Sequence, residues 1–210
     1  MRPELVVVAG GSGSGKSTLA INLLKKYPEV FSLVHLDDYY KKAEDAPQLS
    51  DGGPHWDHPD AVRFDDIVRD LDTLLSGGSI TVMTKSELYH PEYSPALKNK
   101  KKQVIAPASL VIFEGHLALY EARIRSRAAL SVYLDIPIES SVTRRSGNKF
   151  SPSEGYFQQT LIPAHKEFLE PTKKHANHVI GAAGKSAHEV LQEAEHILFN
   201  GRRTNAGFRP

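Results

Sequence analysis

Short apolar runs alternate along the chain with longer stretches in which apolar positions recur every three or four residues. The runs predict strands at Leu5–Ala9, Leu33–Leu36, Ile80–Met83, Leu110–Phe113, Leu130–Leu134 and His178–Ile180. The amphipathic stretches predict helices over Ser17–Lys26, Ala61–Leu75, Leu117–Arg125, Ile138–Arg145, Tyr156–Leu169 and Ala187–Phe199. Strand and helix in turn are the pattern of βα units around a mainly parallel sheet. Three long polar connections interrupt it, Asp38–Asp60, Lys85–Pro107 and Ser146–Gly155. They follow strand or helix ends, where sites form in α/β proteins. No internal repeat is present, the basic run Lys98–Lys102 reads as a solvated loop tip, and residues 201–210 read as a frayed tail.

The first predicted strand runs into GGSGSGKST, which satisfies the phosphate-loop spacing and opens a predicted helix. Its residues, Gly10, Gly11, Ser12, Gly13, Ser14, Gly15, Lys16, Ser17 and Thr18, are therefore candidates to hold a nucleoside triphosphate. Glycines let successive backbone N–H groups turn toward phosphate oxygens, and the helix N-terminus adds its positive dipole end. Lys16 is expected at the β- and γ-phosphates and Ser17 at Mg²⁺. The fold expected is the three-layer α/β/α phosphate-loop architecture, one kinase domain over residues 1–200 with a mobile lid at about 146–155 and an acceptor loop at about 38–60.

Composition narrows the partners. In 210 residues, 26 Lys and Arg against 25 Asp and Glu leave a formal charge of +1, so no global field draws the chain to nucleic acid or membrane. With no cysteine, disulfides, cysteine zinc sites and thiol catalysis are excluded. The N-terminal apolar run is too short for a signal segment or a membrane span, which points to a cytoplasmic protein.

The phosphate acceptor must be sought at the other strand ends. In LVHLDDYY two carboxylates follow a strand. Asp37 can take the proton from an attacking hydroxyl or help position Mg²⁺. Glu114 ends a second strand, before Gly115, and is a candidate for Mg²⁺ or its waters. Asp37, Lys16 and Arg144 form the expected catalytic set, and Ser17, Glu114 and Asp37 the expected metal set.

Several segments together resemble the uridine kinase and phosphoribulokinase superfamily: GGSGSGKST, LDDYY, WDHPDAVRFDDI, VIFEGHLAL and FLEPTKKHANHVI, in family order over residues 5 to about 185. DHPDA and PTKKHA look most like uridine–cytidine kinases, and LDIPIESSVTRRSGNKFSPSEGYF is similar to the lid of nicotinamide riboside kinases. Both phosphorylate a ribose 5′-hydroxyl. The resemblance implies that Asp57 holds ribose hydroxyls and that Trp56 and Phe150 frame the base, with Tyr39 and His90 also at the substrate. Where uridine–cytidine kinases carry a Tyr-Asp-Phe base-recognition segment, this chain has Lys85, Ser86 and Glu87; Ser141 replaces a family arginine. Arg144 and Arg145 would cover the triphosphate from the lid, and Lys173 and Lys174 read as structural or weakly nucleotide-facing.

The sequence thus predicts an ATP- and Mg²⁺-dependent nucleoside kinase, acting on uridine, cytidine or nicotinamide riboside. A kinase of a non-nucleoside alcohol (a sugar phosphate, pantothenate or glycerate) and an ATP-binding regulator are the alternatives.

Overall fold

The structure, a computed structural model, describes residues 2–86, 100–141 and 154–200. At its centre lies a five-stranded parallel sheet in the order β2-β5-β1-β6-β7. Its strands are β1 (Glu4–Gly10), β2 (Phe31–His35), β5 (Leu110–Glu114), β6 (Ala128–Asp135) and β7 (His178–Gly181). β2 and β5 are buried at every position and β1 at all but its first. That burial explains why they read as continuous apolar runs and not as alternating ones.

Helices cover both faces. On one, α1 (Lys16–Lys26) buries Leu19, Ala20 and Leu23 together with Val190, Leu191 and Ala194 of α5 (Ala187–Asn200). On the other, α2 (Phe64–Leu75) turns Ile67, Val68, Leu71 and Leu74 into a second core cluster with Val7, Val111 and Phe113. The short α3 (Ala122–Arg125) lies on this side. A helical run, α4, begins at Glu154–Tyr156 and continues through π turns at Phe157–Leu161 and His165–Leu169.

Three expectations change. The strand β3 (Ile80–Thr84) leaves the main sheet and pairs antiparallel with β4 (Lys101–Ile105). Its alternating burial marks a ribbon with one covered face, and β4, with only Ile105 buried, lacks the apolar run that would have announced it. The helix expected from Ala61 starts at Phe64, because Pro59–Ala61 closes a 3₁₀ turn in which the His58 ring accepts from the Asp60 N–H. Leu117 is buried in a turn, and its helix begins only at Ala122. Lys173 pairs with Asp135, in keeping with a structural role.

Candidate active site

Parallel register brings three strand ends together. Glu114 lies beside Val8 of β1 on one side and His35 of β2 on the other, so the loop after Gly10, the turn after His35 and Glu114 share one edge. This carboxyl edge is where open α/β sheets bind ligands.

The phosphate loop has the backbone its sequence demands. Gly13 and Gly15 have φ of 73° and 93°, a region that L side chains avoid. Gly15 starts α1 with no side-chain cap, so the first helical N–H groups remain for a ligand. Lys16 Nζ donates to the Gly11 carbonyl at 3.2 Å across the loop. Two buried hydroxyls here, Ser14 Oγ and Ser141 Oγ, make no hydrogen bond. A cradle of inward N–H groups with orphaned hydroxyls fits a bound polyphosphate. The hollow lined by Gly13, Gly15, Thr18, Leu19, Ala182 and Val190 lies on the outer side of the loop.

Ser17 donates to Glu114 Oε1 at 3.1 Å, and the same oxygen meets His35 Nδ1 at 2.6 Å. Burial pushes the Glu114 carboxyl up, but the His35 hydrogen bond, the charge of Lys16 and the Ser17 hydroxyl outweigh it and hold the group below its usual range. Burial likewise opposes a charged His35, yet Glu114, with Asp38 and Asp37 behind it, keeps that ring above its ordinary pKa. Glu114 is thus an oriented carboxylate next to the Ser17 hydroxyl. No cluster of three or more His, Cys, Asp or Glu side chains among the described residues could cage a metal. Hydroxyl and carboxylate oxygens at a phosphate loop suit Mg²⁺, which binds through one or two protein oxygens plus phosphates and water.

The segment Leu36–Tyr39 is a 3₁₀ turn, and this decides which of its residues meet the site. At three residues per turn, positions i and i+3 share a face. Asp37 is exposed and, with Tyr40, lines a cavity of about 460 Å³. Asp38 and Tyr39 are buried. Tyr39, expected at the substrate, lies instead in the core: its hydroxyl donates to Asp70 at 2.9 Å, and Tyr40 takes the place at the cavity. Burial raises the Asp38 carboxyl, against a hydrogen bond with Thr84.

The cavity joins Lys16, Ser17, Asp37 and Glu114 to Trp56 and Asp57 of the acceptor loop. Trp56 is braced edge-on by Tyr40, with ring centroids 5.3 Å apart. Asp57 accepts from Tyr156 Oη of α4 at 2.6 Å. His116, buried on the same wall, meets Tyr40 Oη at 3.3 Å, and burial lowers its pKa. Sequence reasoning missed His35, Tyr40, His116, Tyr156 and Lys100; the only local signal was the three-residue spacing of Asp37 and Tyr40. Arg144, Arg145, Phe150 and His90, together with residues 146–153 of the expected lid, lie outside the described residues.

Sheet order, phosphate loop and acidic strand ends define a phosphate-loop kinase of the α/β class. Residues 5–187 match the phosphoribulokinase / uridine kinase family, and the chain belongs to it. It is 31% identical over 194 residues to a uridine kinase of Deinococcus deserti, covering 88% of this chain and 90% of that one. It is 28% identical to a uridine kinase of Halobacterium salinarum, covering 89% and 84%. In fold it is similar to a possible uridine kinase from Bacillus stearothermophilus, with a TM-score of 0.54 at 19% identity over 86% of this chain and 89% of that one. It is also similar to phosphoribulokinase from Rhodobacter spheroides, with a TM-score of 0.58 at 10% identity over 87% and 73%.

Proposed function

We propose that the protein is an ATP-dependent nucleoside kinase of the uridine kinase kind, transferring the γ-phosphate to a ribose 5′-hydroxyl in the cytoplasm. One observation carries the reading: a single cavity spans the phosphate-loop residues Lys16 and Ser17, the carboxylate Asp37, and the pair Trp56 and Asp57. A base stacks on an indole, and ionised Asp57 accepts hydrogen bonds from vicinal hydroxyls. A small polyol would leave Trp56 nothing flat to cover. Uridine kinase relatives spanning most of the chain support the same substrate class.

Mg²⁺ would be held by Ser17 and Glu114, with Asp37 near, and supplies charge neutralisation on the donor phosphates. The chain's own residues do the rest. Asp37 takes the proton from the 5′-hydroxyl as its oxygen bonds to the γ-phosphorus, the bond to the bridging oxygen breaks, and ADP leaves. Asp57, held by Tyr156, fixes the ribose so that this hydroxyl faces the phosphate. Lys16 offsets charge on the transferred group.

The test is ADP release with uridine, cytidine, nicotinamide riboside and simple alcohols, with and without Mg²⁺. Nucleoside-dependent release that a chelator stops is expected. Release with none of the acceptors would favour an ATP-binding regulator, and release with simple alcohols alone would remove the nucleoside.

A further inference from the structure

The β3–β4 ribbon ends in an arrangement that the mechanism leaves unused. Its ladder closes with Thr84 opposite Lys101, and Lys85 and Lys100, the residues just past its end, lie close enough for the charge of one to act on the other. Both line the acceptor cavity, and Lys41 lines it too. Like charges held near each other repel. Among the described residues no hydrogen bond or ion pair holds either ammonium group.

The carboxylates that act on Lys100, Asp38 and Asp37, do so through their fields and not through a hydrogen bond. Lys100 is half-buried, and burial lowers its pKa, against the fields of Asp38 and Asp37; Lys85 and Arg63 push the same way as burial. Asp38 is buried and hydrogen-bonded to Thr84. Arg63 is committed to Asp66 and lies over the Tyr39 ring. Asp37 is the proposed base. The triphosphate has Lys16 on its own loop, whereas these lysines reach the cavity from a ribbon outside the main sheet. Lys85 also lines the adjoining recess with Ser86, Asp38 and Tyr40. Two neighbouring cations at the wall of a ligand cavity, Lys85 exposed and Lys100 half-buried, become a favourable arrangement when an anion sits between the two charges.

We propose that Lys85 and Lys100 form an oxyanion subsite, and that the acceptor of this enzyme carries a carboxylate or phosphate in addition to the hydroxyl that is phosphorylated. This deepens the nucleoside kinase reading and rests on it. Carboxylate and phosphate share the chemistry, and matched substrates with the 5′-hydroxyl free separate them: uridine against orotidine for a carboxylate, and uridine against uridine 3′-phosphate for a phosphate.

At least one anionic partner should exceed its neutral counterpart in kcat/KM by about tenfold or more, the scale of one charged hydrogen bond. Lys85→Met and Lys100→Met should each lower that ratio by about tenfold, while Lys100→Arg keeps most of it. Should a variant not fold, the wild-type ratio and its decline with added salt decide the matter. Neutral nucleosides turned over at least as well as every anionic partner would overturn the subsite and leave the nucleoside reading intact. Turnover of glycerate, a simple alcohol that carries a carboxylate, with no nucleoside accepted would retain the subsite and remove the nucleoside. Variants that raise the KM for ATP without changing the ratio would assign the lysines to the donor and overturn the proposal.

Discussion

Asp37 and Asp57 act at single atoms, so their tests are chemical. Asp37→Asn keeps the shape of the 3₁₀ turn and removes the proton acceptor. A fall in kcat of about 10²-fold or more is expected from steady-state kinetics, and activity within about threefold of wild type would take the base from Asp37. Asp57 holds the diol in this reading, so a 2′-deoxynucleoside, which removes one of the hydroxyls that a partly buried carboxylate would hold, should lose several powers of ten in kcat/KM at the upper end. Comparing uridine with deoxyuridine checks this. Trp56→Ala should cost about 1–3 kcal/mol in kcat/KM, the scale of base–aromatic stacking, and by a similar factor for each base accepted. A large loss for one base alone would show edge recognition where stacking is inferred.

The strand ends carry the precision of the site at the scale of elements. Gly115 follows Glu114, and a Cβ there would collide with Leu36, the residue before Asp37. Gly115→Ala therefore forces apart the two turns that present the proposed metal ligand and base. Overpacking of this kind typically costs about 1–3 kcal/mol. A lowered melting temperature together with a lowered kcat is the expected outcome, measured by thermal unfolding and kinetics; a stable variant with full activity would show that the turns have room to move. The turn at Leu36–Tyr39 makes the limits of local reading concrete. Nothing in DDYY states which aspartate and which tyrosine face the ligand. A 3₁₀ turn places Asp37 and Tyr40 on one face and commits Tyr39 to Asp70, a residue that comes from α2. His35 is a similar case. Its partner Glu114 is distant in sequence and is supplied by strand register.

For the whole molecule, the cavity is lined from the phosphate loop, the strand ends, the acceptor loop, α4 and the end of the ribbon, so ligand binding should stabilise the fold as a unit. ATP with Mg²⁺ at about 100 times Kd should add roughly 2.7 kcal/mol. In a chain of this size that is a rise in melting temperature of about 5–10 °C. Lys16→Ala should abolish both turnover and most of that rise, while the unliganded melting temperature stays near wild type, because Lys16 is only partly buried and its hydrogen bond is to the loop itself. An unchanged ATP-induced shift in that variant would remove the loop lysine from nucleotide binding. Among the described residues no helix is long and apolar enough to cross a membrane.

The sequence by itself determined the phosphate loop, the parallel strands and the order of βα units, because each is a local pattern: glycine spacing, a run of apolar residues, a helical period. It also placed Asp37, Glu114, Trp56 and Asp57 in segments that do reach one cavity, since they follow strand ends or belong to the acceptor loop. Tertiary structure alone decided the rest. β3 lies outside the main sheet because its backbone edge pairs with β4, a strand too polar to be recognised by itself. That pairing places Lys101 and Lys102 in a strand, where they remain exposed, and leaves Lys85 and Lys100 just past its end at the cavity wall. Charge in a sequence carries no address. Whether a lysine faces water or a ligand depends on which strand it pairs with, and that is fixed by apolar side chains elsewhere in the fold.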